Sequence, residues 1–214
     1  MKQTAARKQS NAEKSNLTRA DWLAAAKKIL ISEGVEKISL RKLSDVLGVT
    51  TGAFYWLYKG LGELQDDLLL DWKRQNNAPF ERLFGGEITD WKKTYLQYVR
   101  TIILKGAYDP TYDNAVRTWA RTSAKAREQL KEVDTLRINQ LIKFFHALGF
   151  DEKRATVRAH SMYYHQSSYF QLDEMETEEE RLANAPYYAE FLTGHSLFPE
   201  PDDTTTTRQI LLDA

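Results

Sequence analysis

SLRKLSDVLGVTTGAFYW, residues Ser39 to Trp56, sets Leu40, Leu43 and Leu47 at i, i+3 and i+7, the spacing of one apolar face on a short helix. Ser39 stands where an N-cap belongs. Gly48 follows the last apolar position, where a left-handed residue ends a helix and turns the chain. Thr50 is then placed to accept a bond from the free amides of a second helix. The joint is therefore Gly48, Val49 and Thr50, short enough to force a steep crossing, with Val49 in the seam. Phe54 and Tyr58, at i and i+4, turn back onto the core.

The opposite face of that second helix carries Thr51, Gly52, Ala53, Tyr55, Trp56 and Leu57. Small residues at its start allow close approach to base edges and phosphates. The arrangement is that of a helix-turn-helix that reads DNA; the plainer reading is a helical hairpin inside a larger bundle. Upstream, Thr18 and Asp21 have the spacing of a capping box, and Trp22, Ala26, Ile29 and Leu30 make an amphipathic helix ending at Gly34. A longer helix is expected from about Leu61 to Asn76.

In LTRADWLAAAKKILISEG, in SLRKLSDVLGVT and in GAFYW the chain resembles the tetracycline-repressor-like (TetR-type) family of transcriptional regulators. The likeness covers roughly the first third of the chain. It implies an all-α fold, a reading head joined by a long helix to a helical body, and double-stranded DNA as partner. It also implies that Arg41 reaches a base edge or phosphate, that Thr50 and Thr51 open the recognition helix, and that Tyr55 and Trp56 touch backbone or bases. Ser39, Lys42, Gly52, Ala53 and Lys59 complete the expected contact surface. The chain departs from the family at Leu57, where a His is common, at Tyr58, where Phe or Val is common, and at Leu61, where many members carry a phosphate-binding Lys. Lys42 and Lys59 are near enough in sequence to substitute. Base specificity then rests on Arg41, on backbone approach at Gly52 and on DNA shape.

Charge is divided along the chain. Thirty basic and thirty acidic side chains leave the whole neutral, but residues 1–60 hold eleven Lys or Arg against five Asp or Glu. A basic head on an acidic body directs one end toward a polyanion. Residues 1–16, MKQTAARKQSNAEKSN, lack an apolar run and read as a disordered tail, or as a basic arm on DNA.

The expected domains are a tail at 1–16, a reading head at 17–60, a helical body at 61–200 for dimerisation and sensing, and a C-terminal tail at 201–214, either a loop or an end docked through its apolar patch at Ile210 to Leu212. Within the body, periodicity and punctuation at Pro79, Gly85-Gly86, Asp109-Pro110 and Gly149 suggest helices at Trp91 to Ile103, Asn114 to Thr122, Glu128 to Leu148, Glu152 to Leu172 and Thr177 to Leu192, about nine in all. A head of this kind needs a partner copy, because one recognition helix spans too few base pairs, and the operator is then expected to be palindromic. Ala155, Ala159, Met162, Gln166 and Phe170 offer a small-residue seam for a homodimer; packing inside the chain is the alternative. Trp91, Tyr95, Tyr98, Trp119, Phe144 and Tyr163 could line a pocket for a small effector, although aromatics at helical spacing are more often core.

Enzyme chemistry finds no footing. His160 and His165 are five apart, off the four-residue spacing of a helical metal pair, and the acidic run from Asp173 lacks the glycine turn of a calcium loop. No phosphate-cradling glycine loop or nucleophile triad is present, no cofactor is implied, and there are no cysteines. No apolar stretch has the length of a membrane span, and no signal-peptide core is visible, so a cytoplasmic protein is expected. The functional expectation is a homodimeric repressor released from its operator by a small molecule. The alternative is a helical ligand-binding or interaction protein of the same fold with weak or lost operator binding.

Overall fold

The computed structural model describes residues 17–104, 108–169, 171, 176–199 and 202–214. Nine α-helices and no strand occur among them: α1 (Arg19–Glu33), α2 (Leu40–Leu47), α3 (Leu61–Phe84), α4 (Trp91–Ile103), α5 (Pro110–Trp119), α6 (Ala124–Ala147), α7 (Glu152–Tyr169), α8 (Glu178–Thr193) and α9 (Thr204–Asp213). Two short 3-10 helices, Val35–Lys37 and Thr51–Trp56, complete the set. The all-α expectation is met. The expected tail at 1–16 lies outside the described residues.

Two compact units divide the chain, the first holding residues up to Trp72 together with Ala115–Arg127, the second Lys73–Asn114 and Glu128–Ala214. The division falls within α3, α5 and α6 rather than at residue 60. In the first unit Trp22, Leu43, Phe54 and Tyr58 are buried, with Phe54 edge-on to Trp22 at 5.1 Å and stacked on Tyr58 at 5.1 Å. In the second, Phe84, Tyr95, Phe144 and Phe145 form an aromatic core, closed by Ala155, Ala159 and Leu182.

Several boundaries differ from expectation for local reasons. Pro79 was expected to interrupt α3 but lies inside it. The missing proline N–H costs a helical bond, yet Phe80 and Phe84 beyond it are buried in the second unit's core, and their packing holds the helix together. The helix stops at Gly85, where a Cβ would lie 2.4 Å from the Glu81 carbonyl oxygen, so no other residue fits without a shift. Asp109-Pro110 opens α5 instead of separating segments: the Asp109 carboxylate accepts from the Tyr112 N–H at 3.1 Å, and proline suits a first helical position.

The segment expected as a tail at 201–214 is largely α9. Asp203 caps it, accepting from Thr205 and Thr206 N–H at 2.9 and 3.1 Å. Its Leu211 is fully buried, and α9 packs against α8 and α4. Four successive threonines are poor helix formers. Capping and docking outweigh that preference.

Candidate nucleic-acid interface

The joint between α2 and the segment that follows is built on two hydrogen bonds. Gly48 is left-handed (φ 66°, ψ 35°), its N–H reaches the Asp45 carbonyl at 3.3 Å, and the Val49 N–H reaches the Ser44 carbonyl at 3.0 Å. This is a Schellman ending, which satisfies the last carbonyls of α2 and reverses the chain within a residue. At the other end of α2, Ser39 accepts from the Lys42 N–H at 3.3 Å.

The segment expected to be the recognition helix, Thr51–Trp56, is a 3-10 helix rather than an α-helix, and Thr50 makes no side-chain cap to it. The Thr50 carbonyl accepts from the Ala53 N–H at 3.1 Å instead. The tighter helix turns Phe54 inward and leaves Tyr55 and Trp56 outward, 59 % and 89 % exposed. Trp56 is the most exposed large apolar side chain among the described residues. Thr50, Thr51, Gly52 and Lys59 are exposed alongside, and Ala53 is half-buried. At Gly52 an added Cβ would meet only the Thr50 hydroxyl, at 3.8 Å. The fold does not require glycine there; close approach by another molecule would.

Arg41 projects from α2 with its side chain 93 % exposed, 4.0 Å from Asp45 one turn on. Lys42 pairs with Glu33. Ion pairs this exposed are worth at most about 1 kcal/mol, so both cations are free to exchange a carboxylate for a phosphate.

Sequence reasoning missed what holds the recognition segment in place. Arg19, at the start of α1, donates to the Leu57 carbonyl at 2.9 Å, to Glu63 at 2.7 Å and to Asp67 at 2.9 Å. Its guanidinium also lies 4.1 Å from the Tyr58 ring centroid. These bonds raise the Arg19 pKa, Glu63 contributing most and Asp67 next. Glu63 in turn is held below the usual carboxylate range by the Lys59 N–H, at 2.8 Å, and then by Arg19. The signal for this cluster was the arginine immediately after the Thr18 cap, five acidic residues downstream in α3 being visible but unassigned. Tyr58, read as a departure from the family, bridges the Arg19 carbonyl and Asp67 through its hydroxyl.

In the second unit the expected pocket residues separate. Tyr95 and Tyr98 line a cavity of about 50 Å³ with Val99, Met162, Gln166 and Arg181. Phe144 is core, Tyr163 donates to Asp134, and Trp91 lies against His195 at 5.0 Å. Trp119 belongs to the first unit. These four do not line the cavity.

The proposed seam on α7 also faces inward. Ala155, Ala159, Met162 and Gln166 are all buried, the last two against the cavity, and the side chain of Phe170 lies outside the described residues. A stripe of small residues allows close approach to any neighbour, and here α7 uses it within the chain. The outward face carries Val157, Ser161 and Tyr164 instead, the first two lining a groove with Phe191 of α8. Arg158 joins the two helices, donating to the Phe191 and Leu192 carbonyls at 2.8 and 2.6 Å.

No protein-family model matches the chain, and no curated protein does. Among solved structures it is similar to a candidate transcriptional regulator from Streptomyces coelicolor A3(2), at 18 % identity and a TM-score of 0.56, over 83 % of this chain and 98 % of that one. The two share a fold. Among the described residues no helix is long and apolar enough to cross a membrane, and no three His, Asp or Glu side chains gather where they could hold a metal ion.

Proposed function

We propose that this protein is a DNA-binding transcriptional regulator of the TetR type, acting as a homodimeric repressor that a small effector releases from a palindromic operator. The observation that carries the reading is the recognition segment: exposed Tyr55 and Trp56 beside a glycine the fold does not need, on a Schellman joint, with Arg41 open on the preceding helix. Backbone amides and hydroxyls at Thr50 and Thr51 would position the protein on phosphate, and Arg41 would read a base edge. The fold shared with another candidate regulator supports the assignment.

The partner copy is assigned to the outward face of α7 and α8. Val157, Ser161 and Tyr164 are spaced i, i+4 and i+7, and Phe191 is 70 % exposed, beside a groove of about 430 Å³. Two such faces would pair as a four-helix bundle and set two heads about one helical turn of DNA apart. An effector that binds better to a state with wrongly spaced heads would shift the population off the operator.

A shift assay with duplexes flanking the protein's own coding region tests the central part. Retention of one duplex over a shuffled control, weakening as salt rises, is expected; equal affinity for both would remove the regulator assignment.

A further inference from the structure

The cavity between α4, α7 and α8 has on its lining one buried donor for which the protein supplies no partner, with two tyrosines and an arginine around the same space. Gln166 is 94 % buried against it, and its amide nitrogen bonds to nothing. Tyr95 and Tyr98, 2 % and 4 % exposed, line the same space. Buried donors are nearly always paired, and one left unmade costs stability, so the Gln166 amide indicates a ligand that supplies an acceptor. Arg181 adds a positive charge on the same lining, fixed by its bond to the Ile102 carbonyl at 2.8 Å and by the Tyr169 ring 4.5 Å away. Val99, Ile103, Met162 and Leu192 give the wall an apolar side, and His165, Tyr188 and Glu176 also line it.

We infer that this cavity binds a short-chain monocarboxylate, its oxygens taken by Gln166, the two tyrosines and Arg181, its alkyl end against the aliphatic wall. Size sets the chain length. About 50 Å³ holds roughly three to five water-sized centres, which suits an acid of a few carbons and not a drug-sized molecule. Burial pushes both phenols well above their ordinary range, so they stay neutral donors at physiological pH. Glu176, also on the lining, accepts from Asn184 at 2.5 Å and keeps part of its charge engaged there.

The inference rests on the effector reading for its biological role, but binding can be measured without DNA. Calorimetric titration and thermal melting of the full chain with butyrate, butyramide and butylamine, at matched ionic strength, test it. Butyrate is expected to bind and to raise the melting temperature, with the amide and amine at least ten-fold weaker. Gln166→Leu and Tyr98→Phe should each weaken butyrate about ten-fold. Without ligand, Gln166→Leu should melt higher than the parent, because it no longer buries an unpaired amide. Equal binding of the amide or amine, undiminished binding by Gln166→Leu, or no binding by any of the three overturns the inference. Butyrate that binds as expected yet leaves DNA affinity unchanged upholds the ligand class and removes the effector role. A protein that binds butyrate but no DNA does the same for the operator reading.

Discussion

Arg19 donates to Glu63 at 2.7 Å across 44 residues of sequence, and the same guanidinium holds the Leu57 carbonyl that ends the recognition segment. The reading head is thereby tied at both ends, by the Schellman joint before Thr51 and by the arginine after Trp56. A 3-10 helix of six residues has little stability of its own. Its placement on the head depends on these two anchors. Arg19→Met should therefore weaken operator binding several-fold while leaving the second unit's melting unchanged, as read by anisotropy and hydrogen exchange.

Tyr58 gives the anchor a pH dependence. Burial, then Asp67, pushes its phenol up to about 12 from the ordinary 10.0. A group whose pKa is raised on folding lends stability that is present below 10.0 and lost as pH rises toward 12. Stability of the first unit should fall across that window, and Tyr58→Phe should flatten the fall while costing about 1 kcal/mol at neutral pH. Chemical denaturation at pH 7, 10 and 11.5 reads both.

On the acid side Glu63 behaves in the opposite sense. Its pKa is lowered by the Lys59 N–H and by Arg19, so its contribution is present above the ordinary 4.5 and is lost as pH falls below it. Glu63→Gln should shallow the acid limb of the first unit's stability curve.

How much of this was legible in the sequence varies by element. Leu40, Leu43, Gly48 and Phe54 specify the head through period and turn chemistry alone, and the bounds of α4 at Trp91 and Ile103 follow from its apolar face. The direction of a stripe is a different matter. Ala155, Ala159, Met162 and Gln166 have the period of a helix seam, but period says only that one face is shared, not whether the neighbour is in the same chain. Pro79 and the threonines of α9 mislead because distant packing decides them. Arg19 and Tyr58 escape because their partners lie in another helix, and no local pattern announces a bond between residues so far apart.

Gly52→Ala separates fold from contact. The added methyl meets nothing closer than 3.8 Å, so stability should hold or rise by about 0.5 kcal/mol. DNA affinity should fall ten-fold or more if the backbone approaches phosphate there. Loss of stability in this variant would show that the glycine serves the fold.

For the partner copy, Val157→Asp with Phe191→Asp places two charges on the outward face of α7 and α8 while leaving the buried stripe intact. Sedimentation should show monomers with unchanged helicity, and operator affinity should collapse with dimerisation. A dimer that survives this pair of charges would move the interface elsewhere.

Arg41 bears the most direct test of the account. Binding of the parent and of Arg41→Ala should be measured by anisotropy against the retained duplex and every single-base-pair variant of it, at two salt concentrations. Specific binding by the parent is expected and, in Arg41→Ala, discrimination lost at one base pair per half-site, worth roughly 1 to 3 kcal/mol, with preferences elsewhere kept. Identical base preferences in the two proteins, or no preference in the parent, would contradict it.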